Sequence, residues 1–134
     1  MKRIIYIIPV LATCIIIGLV FSQCKKDTTC KVRIICKYAE SIDPEDSLIS
    51  GQPIPNCYVV LGKSYYADFA RDSGRCDSKG VYETSFQYEA ILEINASHSI
   101  EDTVLQETKY YSKKDEVRLV PGETVEKIVY LKPE

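Results

Sequence analysis

The chain has 134 residues, with 17 basic and 19 acidic side chains and a net charge of −2 at neutral pH. This near balance, with no basic stripe, excludes the clustered cationic footprint that nucleic-acid binding requires. One histidine, His98, excludes most imidazole-dependent hydrolytic sites, and a chain of this size holds one core rather than several.

At the N-terminus, Lys2 and Arg3 precede an uncharged run from Ile4 to Phe21 that ends at Ser22-Gln23-Cys24. A run of this length can cross the hydrocarbon layer while the cationic end stays in the cytoplasm. Cys24 follows the run directly and leads into the polar tract Lys25-Lys26-Asp27-Thr28-Thr29. The arrangement resembles the signal peptide of a bacterial lipoprotein, whose lipobox ends in the cysteine that is acylated. Phe21 stands where leucine is commonest and Gln23 where a small residue is usual, a departure similar to the looser lipoboxes of Bacteroidetes-type bacteria. The resemblance implies an apolar signal helix at residues 1–23, lipid on Cys24 and a tether over residues 24–28. The domain would then be held at the outer membrane, on its periplasmic face or at the cell surface. Without cleavage, the same run makes a single-pass inner-membrane protein with a periplasmic domain.

Loss of Lys2 and Arg3 with the signal takes the 17 basic residues to 15 against 19 acidic, a net charge of about −4. Cys30, Cys36, Cys57 and Cys76 remain, in a compartment where thiols oxidise. Cys30 and Cys36 lie in one extended segment, about 20 Å apart, and so do not pair with each other. No Cys-x-x-Cys spacing occurs and His98 is remote in sequence, so the pattern does not suggest zinc, nor any cofactor.

From Cys30 onward the chain reads with period two. Cys30, Val32, Ile34, Cys36 and Tyr38 share one face, while Lys31, Arg33 and Lys37 share the other with Ile35. After a polar stretch, Gly51, Pro53 and Pro55 lead to a strand that carries Cys57, Val59 and Leu61 inward. Further strands are predicted around Ala67 to Cys76, Val81 to Phe86, Ala90 to Ser97, Glu116 to Val120 and Thr124 to Leu131. Asp77-Ser78-Lys79-Gly80 has the pattern of a tight turn, and Pro121-Gly122 that of a type II turn with glycine at positive φ. The segment Ile100 to Lys114 fits a long loop, a short helix or an edge strand. The resulting fold class is all-β, a single Greek-key β-sandwich of about seven strands over residues 29–132.

Three pieces of this domain resemble the carboxypeptidase regulatory-like, or prealbumin-like, sandwiches: Gly51-Gln52-Pro53-Ile54-Pro55-Asn56-Cys57-Tyr58-Val59-Val60-Leu61, Cys76-Asp77-Ser78-Lys79-Gly80-Val81-Tyr82, and Val120-Pro121-Gly122-Glu123-Thr124. The layout this implies sets Cys57 at the start of one strand and Cys76 at the end of its antiparallel neighbour. The resemblance thus implies a Cys57–Cys76 disulfide, with Cys30 or Cys36 left reduced.

None of these motifs is catalytic. Glu45 with Asp46, and Glu101 with Asp102, fall in polar segments and read as solvated charge rather than an acid/base couple. Ten tyrosines and no tryptophan point instead to binding, with Tyr65, Tyr66 and Phe69 as an aromatic patch for a protein or glycan and Tyr110-Tyr111 beside Lys109, Lys113 and Lys114 as a second aromatic group. Asp27-Thr28-Thr29, Asp46-Ser47-Leu48 and Asp102-Thr103-Val104 resemble a Bacteroidetes O-glycosylation triplet, which makes Thr28, Ser47 and Thr103 acceptors. The whole reads as a lipid-anchored envelope module with a binding or structural role. A small exported enzyme of unknown reaction is the alternative.

Overall fold

The computed structural model describes residues 27–40, 49–62, 71–104 and 106–134. Seven strands follow in chain order: β1 (Cys30–Tyr38), β2 (Tyr58–Gly62), β3 (Asp72–Arg75), β4 (Val81–Phe86), β5 (Ile91–Asp102), β6 (Glu107–Arg118) and β7 (Thr124–Pro133). The described residues are all-β, as expected for the domain, with strand order β3-β2-β5-β6-β7-β1-β4.

Period-two patterning decides which side chains point inward. Cys30, Val32, Ile34, Cys36 and Tyr38 of β1 are all buried, and so are Val59 and Leu61 of β2 and Leu92, Ile94 and Ala96 of β5. They form one core with Ile54, Tyr111, Val117, Leu119, Val129 and Leu131. No charged side chain is buried among the described residues.

Two ladders face each other across this core. In one, β1 pairs antiparallel with β4 (Ile34↔Tyr82) and parallel with β7 (Ile34↔Lys127). In the other, β2 lies antiparallel between β3 (Val59↔Gly74) and β5 (Val59↔Ala96), and β5 continues into β6. The expected sandwich keeps its two ladders apart, whereas here they are joined into one mixed, nearly barrel-shaped sheet. The join is local. β7 runs two residues past Leu131, and the added Lys132 and Pro133 pair with Ser112 and Tyr111 of β6. Glu134 extends the contact by donating its N–H to the Tyr110 carbonyl at 2.9 Å.

The turns follow their sequence chemistry. Asp77 Oδ1 accepts from the backbone N–H of Lys79 at 2.8 Å and of Val81 at 2.9 Å, and Gly80 closes the turn at φ +74°. At Pro121-Gly122, Glu123 donates to the Val120 carbonyl at 3.2 Å and Gly122 takes φ +76°. The segment Ile100 to Lys114, open among three readings, forms the outer part of a long hairpin: β5 and β6 pair from Ile91↔Arg118 to Asp102↔Glu107.

Candidate thiol cluster and adjoining cleft

Three sulfurs meet in the core. Cys36 points inward from β1, Cys57 immediately precedes β2 and Cys76 immediately follows β3. Their Sγ atoms lie within 4.8 Å of one another. Cys36 and Cys57 have no exposed surface and Cys76 retains 6%, which makes Cys76 the least enclosed of the three.

The backbone holds each position. Cys76 donates its N–H to the Cys57 carbonyl at 2.8 Å, and Asn56 donates to the Cys76 carbonyl at 3.2 Å. Two residues therefore oppose one, and Asn56 adopts φ +60°: this is a β-bulge whose first residue is left-handed. The bulge turns Cys57 inward beside Cys76. On the facing ladder, Cys36 donates to the Gly80 carbonyl at 2.8 Å and accepts from the Ile54 N–H at 2.9 Å.

Mutual hydrogen bonding separates the three thiols in acidity. Cys76 is pulled down by its side-chain interactions with Cys36 first and then with Cys57. Cys36 is pushed up by its bonds to Cys57 and Cys76 and by desolvation. For Cys57 the bond with Cys36 lowers the pKa, but the bond with Cys76 and burial outweigh it. The three thiols are thus driven apart in acidity, Cys76 downward and Cys36 and Cys57 upward.

The resemblance implied a Cys57–Cys76 disulfide. The two residues do meet across the β2·β3 ladder, with no bond between their sulfurs in this structure, and Cys36 joins them as a third. Cys30 stays apart from the cluster and lies 3.8 Å from the Thr28 carbonyl.

Above the cluster a cleft of about 440 Å³ opens at the end of the β2-β5-β6 ladder. Tyr58 and Tyr110 present exposed rings there, with Asn56, Arg75, Ser97 and His98 between and around them. The Arg75 guanidinium carbon stands 5.8 Å from the Tyr58 ring centroid, and its Nη1 donates to the Asn56 carbonyl at 3.2 Å. His98 is half-buried and packs edge-on to Tyr38 at 6.3 Å between ring centroids. Its imidazole is pushed down by burial and then by the field of Arg75, against the opposing pull of Cys76. Cluster and cleft share a wall: Cys57 Sγ donates to the Ser97 carbonyl at 3.4 Å.

Of the other residues singled out in the sequence, Thr28 and Thr103 are exposed, as a modification acceptor must be. Cys24, Ser47, Tyr65, Tyr66 and Phe69 lie outside the described residues, as does the apolar segment at residues 1–23. The sequence reading singled out Tyr110 but missed Tyr58 and Arg75. Their exposed positions in alternating strands were a signal, but only strand order places them side by side. No protein-family model, no curated protein and no solved structure matches this chain.

Proposed function

We propose that the chain is a lipid-anchored cell-envelope module, a prealbumin-like Greek-key sandwich, whose role is to bind a saccharide rather than to catalyse a reaction. Acylated Cys24 supplies the anchor, and the cleft beside Tyr58 and Tyr110 supplies the binding surface. The observation that carries this reading is the pair of exposed tyrosine rings around a cleft of about 440 Å³, with the Arg75 guanidinium, the Asn56 amide and the Ser97 hydroxyl beside them. Rings of this kind stack on the apolar faces of sugars, and the polar groups take up the hydroxyls. The volume lies within the range of about 300–1,000 Å³ in which small-ligand sites fall. The two facing ladders around one core support the sandwich assignment.

Two measurements test the proposal. Intact mass of the N-terminal peptide from native membranes should show a chain beginning at acylated Cys24, and a peptide retaining Ile4 to Phe21 would make it an inner-membrane protein. Binding of the full-length protein to an array of envelope and host oligosaccharides should fall at least tenfold in Tyr58→Ala with Tyr110→Ala. Unchanged binding in a folded double variant would move the site elsewhere.

A further inference from the structure

A cysteine in a β core commonly acts as a small apolar residue, and Cys30 fits that description. Cys36, Cys57 and Cys76 do not, because three separate parts of the chain converge to bring their sulfurs together. We infer that these three residues form an all-sulfur site for a soft monovalent cation, copper in its Cu(I) state.

Geometry comes first. A metal bound to sulfur at about 2.3 Å in a trigonal plane holds its sulfurs about 4 Å apart. The three Sγ atoms lie within 4.8 Å of one another, so this arrangement is reached by side-chain adjustment alone. The backbone is already fixed on all sides, at Cys36 by Gly80 and Ile54 and at Cys76 by Cys57 and Asn56. Such preorganisation is what a designed metal site requires.

Donor chemistry selects the ion. Thiolates favour soft ions over magnesium, calcium or manganese, which seek oxygen. Structural zinc takes four donors in a closed tetrahedron. Among the described residues no fourth histidine, cysteine, aspartate or glutamate joins the group, and Cys36 and Cys57 are wholly enclosed. A three-sulfur pocket suits an ion content with two or three ligands. Cys76, with 6% of its surface exposed, is the least enclosed of the three.

The proton and charge balance is closed. Each thiol that becomes a thiolate ligand loses its S–H proton to solvent as a Cu–S bond forms, and copper remains +1 throughout. Two thiolates with a third, protonated sulfur leave one negative charge in the core, whereas three thiolates leave two. The low-dielectric surroundings favour the first form. A Cys57–Cys76 disulfide would consume two of the same sulfurs, so ion and disulfide exclude each other.

The test uses the full chain in detergent with Cys14→Ser and Cys24→Ser, which leaves only Cys30, Cys36, Cys57 and Cys76. Under anaerobic, reduced conditions it is titrated with Cu(I) against bicinchoninate. One Cu(I) per chain is expected, and Cys30→Ser should retain it. Cys36→Ser should weaken binding by more than the 10–100-fold typical of a residue that only supports a ligand. X-ray absorption of the copper-loaded chain should show two or three sulfurs and no nitrogen. This reading does not depend on the serine variants folding, and a count below two overturns the inference. Equal copper uptake with and without Cys36→Ser, in folded protein, also overturns it. So does a Cys57–Cys76 disulfide in chain taken from native membranes with its thiols blocked.

Discussion

Tyr82 donates its hydroxyl to the Asp72 carboxylate at 2.8 Å, and this bond helps tie β3, at one edge of the sheet, to β4 at the other. Thr84 donates to the same oxygen. Desolvation works to raise the Asp72 pKa, but the bonds from Thr84, Tyr82 and the Ser73 N–H outweigh it and hold the carboxyl below its ordinary value. A carboxylate depressed in the folded state contributes stability above its unfolded pKa of about 3.9 and loses it as pH falls through the folded value. Asp72→Asn is therefore expected to cost about 1–2 kcal/mol at pH 7, the scale of a charged hydrogen bond in a partly solvated site. Below about pH 4 its urea midpoint should approach that of the native chain. Parallel pH profiles for the two proteins would show that the closure contributes nothing.

Closure also needs room. A Cβ built on Gly74 of β3 would come 2.5 Å from Cε2 of Tyr82, so the missing side chain is what lets the tyrosine ring cross to Asp72. Gly74→Ala should push the ring aside and destabilise by about 1–3 kcal/mol, the usual cost of overpacking. Because the same contact is lost, its effect should be less than additive with that of Asp72→Asn in a double-mutant cycle. Strict additivity would separate the glycine from the closure.

Two turn glycines should differ sharply. Gly51, at φ +71°, has nothing within 4 Å of a built Cβ, so Gly51→Ala carries only the left-handed backbone cost of about 1–2 kcal/mol. Gly80, at φ +74°, would set its Cβ 2.7 Å from the Cys36 carbonyl oxygen and 2.9 Å from the Ile54 nitrogen, both backbone atoms. Gly80→Ala should therefore cost clearly more, about 3–4 kcal/mol, and loosen Cys36 in the thiol cluster. Thermal unfolding of the pair checks the order, and near-equal losses would contradict it.

These relationships divide what the chain reveals in one dimension from what it does not. The inward faces of β1, β2 and β5 follow from alternation alone, and the Asp77-to-Gly80 and Pro121-Gly122 turns from the residues that make them. Ile100 to Lys114 was ambiguous because its mostly polar residues give no steady alternation, and only pairing with β5 makes them a strand. Cys57 and Cys76 meet as the layout implied. Cys36 was invisible as their partner because it reaches them from the opposite ladder, through no short spacing that a motif search reads. The join at Lys132 and Pro133, which turns two ladders into one sheet, depends on where β7 ends rather than on any pattern within it.

His98 offers the most direct probe of the cleft, since it is the one histidine in the chain. Burial pushes its imidazole below 6.5, Arg75 pushes it further, and Cys76 opposes them. NMR titration should give a midpoint below 6.5. Arg75→Gln should raise that midpoint and Cys76→Ser should lower it. The sign for stability follows from which state takes up the proton. Below about pH 6.5 the unfolded chain protonates its histidine while the folded chain resists, so stability falls as pH drops from there towards the folded value. At neutral pH the ring is uncharged and faces the cleft with one donor and one acceptor nitrogen, suited to sugar hydroxyls. Saccharide affinity should then weaken on acidification with the midpoint that NMR assigns to His98, and a flat affinity across that range would take the imidazole out of the binding surface.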